Sequence, residues 1–260
     1  MVLHTHMMHN DTLDPSTARE YDTYWEQTEN SYPHYPTIRH RKRFIMNEMK
    51  RVLKNRAEHM PMVFDFGCGE GSLLMAIQTY FSIPPSHLEG SDISAVALER
   101  AREKIPEGNF LLGAFPKFPQ QFDICICSEV IEHTPDYRDI LEWIHDHLTE
   151  RGTLLLTTQT GRMHASDHYT RHTQHFQKTT LENILREIGF HIEKSRLWGW
   201  PFFTLQKYMT DLSFDHVRNT YLEGELSPMK RFVFNVAYLL YFFHDLIPSG
   251  PQIYIVARKS

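Results

Sequence analysis

Val63-Phe64-Asp65-Phe66-Gly67-Cys68-Gly69-Glu70-Gly71 sets the frame for the whole chain. Val63, Phe64 and Phe66 favour a buried strand. Gly67, Gly69 and Gly71 then let the backbone turn sharply and keep side-chain bulk away from a ligand. Ser72-Leu73-Leu74-Met75-Ala76-Ile77 follows as the start of a helix with an apolar face. By itself such a turn is also what any tight strand-to-helix junction looks like. Three features narrow the reading. The spacing is G-x-G-x-G, not the G-x-G-x-x-G of dinucleotide enzymes, and no Lys-Ser or Lys-Thr follows as a phosphate-binding loop requires. Asp65 sits at the end of the strand, where a carboxylate reaches an amino group. A second strand, His87-Leu88-Glu89-Gly90-Ser91, ends at Asp92, where a carboxylate can accept hydrogen bonds from two ribose hydroxyls.

Outward from this unit, strands and helices alternate. Ser94 is placed to cap a helix from Ala95. Strands follow at Phe110-Leu111-Leu112, at 122–127, at 153–158, at 190–197 and at 252–257, with a helix at 179–188 closed by Gly189. Such alternation predicts an α/β fold with a mostly parallel sheet covered on both faces. On the N-terminal side, Thr37 is placed to cap a helix over 38–56 whose apolar stripe is Ile38, Ile45, Met49, Val52 and Leu53. Its other faces are basic, and Arg39 or Arg43 is the candidate anion contact; a solvated basic face is the plainer reading. Residues 11–36 are too aromatic for a linker and are expected to pack on the core or close over a ligand. His4, His6 and His9 read as a disordered tail with weak metal affinity at most.

The chain has 260 residues and a formal net charge of -5, which exerts no broad pull on nucleic acid. Its three cysteines, Cys68, Cys125 and Cys127, are poorly placed to pair. With no signal peptide visible, a reduced cytoplasmic protein is the simplest expectation. Between the sixth and seventh strands lies an aromatic insertion of about fifty residues, from Trp198 to the apolar run ending at Phe243. That run is shorter than the ~20 residues needed to span a bilayer. It is expected to pack as a cap or lid over an apolar pocket, with peripheral membrane contact as a further role.

Glycine turn, strand-end Asp65 and the spacing to Asp92 together resemble the class I S-adenosylmethionine-dependent methyltransferases over roughly residues 60–197. The resemblance implies a Rossmann-like seven-stranded sheet with an antiparallel last strand. It implies cofactor contacts at Asp65, Gly67, Cys68, Gly69, Asp92, Ile93, Ser128 and Glu129, and a cofactor-carboxylate contact at Arg39 or Arg43. Many members place an acidic residue near Ala114 to meet adenine; here it is absent, which leaves a backbone carbonyl or apolar contacts such as Phe115. The implied division is an N-terminal extension with the basic helix (1–58), a cofactor-binding core (59–198 and 249–260) and an inserted cap (199–248).

Ser128-Glu129-Val130-Ile131-Glu132-His133 follows the fourth strand. In a helical turn, Glu129, Glu132 and His133 would share one face. Two carboxylates and an imidazole can bind a divalent cation; the plainer reading is local hydrogen bonding. His164, His168, His172 and His175 follow the fifth strand at the same sheet edge. This pair of segments resembles the metal-dependent terminal-ribose RNA methyltransferases, and Cys127 to His133 also resembles the ubiquinone-pathway O-methyltransferases. Carried over residue by residue, the implied ligands of Mg2+ or Mn2+ are Glu129, Glu132, His133 and His175. Gln174 stands where the RNA enzymes carry Asp. Without a metal, His133, His172 or Tyr169 is the candidate general base.

The expectation is therefore methyl transfer from S-adenosylmethionine to an oxygen of a small molecule or glycan, of vicinal diol or catechol type, metal-assisted in its fullest form. Terminal-ribose 2'-O-methylation of RNA is the first alternative, disfavoured by the acidic balance and the apolar insertion. A catalytically silent cofactor-fold binding module is the second.

Overall fold

The computed structural model describes residues 15–28, 31–54, 59–117, 119–222 and 225–260. The tail with His4, His6 and His9, and Arg56 of the basic helix, lie outside these residues.

Seven strands form one sheet: β1 (Val63–Phe66), β2 (Leu88–Asp92), β3 (Asn109–Leu112), β4 (Phe122–Ser128), β5 (Leu148–Gln159), β6 (Phe190–Trp198) and β7 (Gln252–Lys259). Their order is β3-β2-β1-β4-β5-β7-β6. The pairs β1–β2, β1–β4, β2–β3 and β4–β5 are parallel, and β7 runs antiparallel to both neighbours. This is the Rossmann-like methyltransferase sheet the sequence predicts. The chain reverses direction across the sheet between β1 and β4, so the crevice where such sheets bind ligands opens beyond Phe66 and Ser128.

Helices α3 (Ser72–Phe81), α4 (Ala95–Lys104), α5 (Tyr137–His147), α6 (Ala165–Tyr169) and α7 (Lys178–Ile188) connect the strands. Ser94 caps α4 by accepting from Ala97 N at 3.1 Å, and Gly189 closes α7 in the left-handed region at φ 116°. Two apolar clusters form the core, one on each face of the sheet. Ile45, Met49, Leu74, Leu98, Ile124 and Val256 belong to one, and Phe64, Cys125, Leu141, Leu154, Leu181 and Ile255 to the other. All three cysteines are buried and free.

Two additions lie at the crevice. α1 (Pro15–Thr28) and α2 (Pro36–Lys54) precede β1. α2 starts at Pro36, so Thr37 is inside the helix and not its cap; the fixed φ and missing N–H of proline suit a first turn. Between β6 and β7 stand α8 (Phe202–Leu212), α9 (Phe214–Val217) and α10 (Pro228–Leu240), then a 3-10 turn, Tyr241–Asp245.

Candidate active site

The glycine turn is anchored from β2: Gly67 N and Cys68 N donate to the Ser91 carbonyl at 2.8 and 2.9 Å. Gly67 and Gly69 have φ of 72° and 53°, a region that disfavours a side chain. The space each leaves is filled by the protein itself. A Cβ on Gly67 would meet Val130 at 2.5 Å, and one on Gly69 would meet the Trp25 indole at 2.4 Å. Aromatic α1 therefore lies over the turn, fixed by Asp22 accepting from Ser94 Oγ at 2.6 Å and Arg100 donating to the Trp25 carbonyl at 2.7 Å.

A cavity of about 920 Å³ opens beside the turn. One side holds Gly67, Asp92, Ile93, Ala114, Phe115, Ser128 and Glu129, all positions raised from sequence. The other holds His133, His172, Gln206, Lys207, Thr210 and Phe234. Tyr21, Trp25, Tyr32 and Tyr35 roof it from the N-terminal extension. Asp65 and Cys68 line a neighbouring hollow of about 720 Å³ that shares Gly67, Ser128, Trp25, Tyr32 and Arg41. Asp65 is buried, and burial first, then the Asp92 charge, holds its carboxyl well above the usual range. Such a carboxyl is primed to gain a cationic partner. Asp92 accepts from Gly69 N at 2.8 Å and Ser94 N at 2.9 Å. The Ile93 backbone N–H also bonds this carboxylate, and one lone pair remains for a ligand hydroxyl.

Arg43 lines neither hollow, and Arg39 lines only the smaller one, with Asp65 and Cys68. Arg39 donates to Asn235 Oδ1 at 2.8 Å and lies over the Tyr238 ring; Arg43 pairs with Asp245 at 2.5 Å and lies over Phe242. Both hold the inserted helices to α2. The arginine that lines both hollows is Arg41, 3.3 Å from Glu129 Oε2. Its signal was present in the sequence: Arg41 sits three residues after Ile38 and four before Ile45, on the buried stripe.

The turn after β4 is not an α-helix. Glu129 is left-handed at φ 56°, and Ile131–His133 is a single 3-10 turn. Glu129 and Glu132 therefore do not share a helix face, although the Glu129 charge, after burial, still raises the Glu132 pKa. Glu129 is enclosed by donors: Arg41, Thr157 Oγ1 at 3.1 Å, Gln159 Nε2 at 3.1 Å and Gln252 Nε2 at 3.1 Å. Three of the four converge on Oε2, and Glu129 belongs to neither group of side chains close enough to share an ion among the described residues, so it leaves the ligand set expected from sequence. Glu132 is fully buried. Its Oε2 accepts from Thr158 Oγ1 at 2.7 Å, while its Oε1 has no partner in the protein. His133 Nδ1 is likewise buried and unpartnered.

The structure brings Glu132 and His133 together with His172, one ligand atom from each lying within 4.8 Å of the others. His175 is one shell out. Its Nδ1 faces the Gly161 carbonyl at 3.2 Å, so Nδ1 must carry the proton, and its Nε2 then accepts from His172 Nδ1 at 3.0 Å. This relay leaves His172 Nε2 with a free lone pair. Burial lowers the pKa of His133 to about 4 and of His172 to about 2, so both rings are neutral near pH 7. A second group, Asp167 with His172 and His175, already holds a cation: Lys207 Nζ lies 2.7 Å from Asp167 Oδ1 and also donates to Gln159. Asp167 and Lys207 went unnoticed in sequence because they pair only across α6 and α8. Of the remaining candidates, His164 is tied to Asp211 at 2.8 Å, His168 is exposed, and Tyr169 rests against Phe214 outside the cavity wall.

Residues 37–195 match the family model described as a methyltransferase domain. The chain belongs to that family, the class I S-adenosylmethionine-dependent methyltransferases. A ubiquinone biosynthesis O-methyltransferase of Histophilus somni is 24% identical over 162 residues, 56% of this chain and 64% of that protein. A trans-aconitate 2-methyltransferase of Rhizobium etli is 33% identical over 102 residues, 37% of this chain and 38% of that protein. The chain thus spans less than two thirds of these relatives' lengths. Magnesium protoporphyrin IX methyltransferase of Synechocystis, solved with bound S-adenosylmethionine, superposes with a TM-score of 0.58 at 14% identity, over 96% of this chain and all of that one. That likeness is one of fold.

Proposed function

We propose that the chain transfers the methyl group of S-adenosylmethionine to an oxygen of a small, partly apolar acceptor carrying adjacent hydroxyls. The cofactor reading is supported by the glycine turn, Asp92 beside it, and Asp65 waiting for a cation. In this reading Asp92 accepts from the ribose, Asp65 faces the amino-acid end, and Ile93, Ala114 and Phe115 sandwich the adenine.

The observation that carries the oxygen acceptor is the trio Glu132, His133 and His172. It presents two orphaned buried atoms and one free imidazole lone pair beside the cavity. Orphans of this kind are costly unless a ligand satisfies them. Histidines with pKa values near 4 and 2 are weak general bases at neutral pH. They are, however, already deprotonated, as metal ligands must be. One carboxylate and two imidazoles suit Mn2+, Fe2+ or Zn2+ better than Mg2+, which prefers oxygen. Such an ion, when bound, would acidify an acceptor hydroxyl and orient it.

The remaining work falls to the chain. The sulfonium methyl is already activated, so the protein must align an in-line displacement and exclude water. Tyr21 and Trp25 close the cofactor side. Phe203 and Phe234 give the acceptor apolar walls, and Gln206 and Lys207 give it polar anchors. His175 holds the His172 ring in the competent tautomer.

Chelator-treated protein titrated with Mn2+ in the presence of S-adenosylhomocysteine tests this. One ion per chain is expected, lost in both Glu132→Ala and His172→Ala. Absence of ion binding in the unaltered chain would sink the metal-assisted reading and leave the cofactor reading standing.

A further inference from the structure

All but four of the large apolar side chains that stand exposed among the described residues belong to the insertion between β6 and β7; the four are Met60, Met75, Tyr80 and Leu112. On α10, Phe232, Val236, Leu239 and Leu240 recur at three- and four-residue spacing, and Phe243 continues the stripe. Leu239 is 65% exposed. On α8, Leu205, Met209 and Leu212 do the same, with Leu212 86% exposed. The opposite faces of these helices are already used: Phe203 and Lys207 of α8 and Phe234 of α10 wall the cavity. A cap over a pocket needs one apolar face, and these helices have two. Exposed apolar surface of this extent marks an interaction site.

Charge says what covers it. From Ser227 to His244 the chain has no Asp or Glu, while it has Lys230 and Arg231. Arg39 lies 3.9 Å over Tyr238 and Arg43 3.7 Å over Phe242, so guanidiniums border the stripe along its length. Arg231 and Arg39 both lie near enough to His34 to lower its pKa. The carboxylate on this rim, Asp245, is engaged by Arg43 and His40. In a two-fold pair of copies, these arginines would meet their own kind across the α10 stripe, with no carboxylate between Ser227 and His244 to answer them. An anionic lipid surface answers both features, accepting apolar side chains below its headgroups and cations at them.

We infer that the outer face of α8 and α10 seats in the headgroup boundary of an anionic bilayer, and that the cavity takes an amphiphilic acceptor from that side. The docking stands on the face alone; the amphiphilic acceptor rests on the methyl-transfer reading above. The helices lie along the surface, since α10 has 13 residues and no described helix is long and apolar enough to cross a membrane.

Co-flotation of the full chain with vesicles tests the docking. Phosphatidylcholine vesicles carrying half phosphatidylglycerol are compared with phosphatidylcholine alone. Flotation with the anionic vesicles is expected, weakened by high salt, by about fivefold in Arg231→Glu, and by at least about tenfold in Leu239→Glu/Phe243→Glu. Calorimetric affinity for S-adenosylhomocysteine should be unchanged in these variants, which shows them folded. Failure of the unaltered chain to float, or equal flotation of the double variant, overturns the docking. So does a dimer in light scattering that the double variant dissociates, which would assign the face to a second copy. Flotation without any affinity for S-adenosylhomocysteine would overturn the methyl-transfer reading and leave the docking standing.

Discussion

His172 Nδ1 lies 3.0 Å from His175 Nε2, and this contact decides which nitrogen of His172 is available for chemistry. Because His175 Nδ1 must donate to the Gly161 carbonyl, the proton order along the pair is fixed. His175 is thus a positioning residue and His172 the one with the open lone pair. Removing the two should differ in degree. His172→Ala should abolish Mn2+ binding. His175→Ala should weaken it by about 10- to 100-fold, the usual cost of losing an outer hydrogen bond to a ligating imidazole. Titration calorimetry separates the outcomes, and equal loss in both would place His175 in the ligand set itself.

Glu129 gives a contrasting case. Its carboxylate is shared by Arg41, Thr157, Gln159 and Gln252. Glu129→Ala leaves the Arg41 guanidinium buried and unpaired. The expected cost is about 3 kcal/mol of folding stability, measured by urea denaturation. Mn2+ affinity should change far less than in Glu132→Ala; the reverse ranking would restore Glu129 as a ligand.

Asp92 bridges the turn and the start of α4. Asp92→Ala should lower S-adenosylhomocysteine affinity at least about a hundredfold, since it removes both the proposed ribose acceptor and the bond that fixes Gly69 N. Unchanged calorimetric affinity would remove Asp92 from the cofactor site.

The sheet was legible from the sequence because its central strands carry short apolar runs, although β5 extends back to Leu148 and β6 is largely polar. The periodicity of 63–66, 122–127 and 153–158 carries that signal locally. The site reading placed residues at the two hollows where they sit at a strand end, as at Asp65, Asp92 and Ser128. It failed where backbone conformation redirects a side chain. Glu129 at φ 56° leaves the helical path that would put it on one face with Glu132, a conformation that spacing alone does not announce. It failed again where the partner lies far along the chain. Arg39 and Arg43 are drawn to Asn235 and Asp245, some two hundred residues on. Arg41, read with the rest of a basic face, is the arginine that lines both hollows.

The roof over the glycine turn can be loosened by one carbon. Gly69→Ala asks an L residue to hold φ 53°, costing about 1–2 kcal/mol, and sets a Cβ 2.4 Å from the Trp25 ring. Trp25 should be displaced, seen as a red-shifted tryptophan emission that Trp25→Phe removes. No shift would mean that α1 yields without exposing the indole.

His40 makes the pH behaviour testable away from the site. It stacks on Trp198 at 3.7 Å, lies 3.2 Å from the Tyr254 hydroxyl, and receives an Arg43 N–H. Burial, then the Arg43 charge, lowers its pKa to about 2, although Asp245 lies 3.2 Å away. Arg43 already satisfies that carboxylate, so the ring stays neutral. The folded pKa is depressed below the unfolded value near 6.5. Between these values the unfolded chain therefore holds a proton that the folded chain does not. The stabilisation from neutral His40 is whole above pH ~6.5 and is lost as pH falls, by about 1.4 kcal/mol per unit. His40→Gln lacks this term. Its deficit against the unaltered chain, measured by urea unfolding at pH 7.5, 6 and 5, should narrow at about that slope below pH ~6.5. A constant deficit over that range would mean that His40 is protonated in the folded protein, and that Asp245 rather than Arg43 governs its charge.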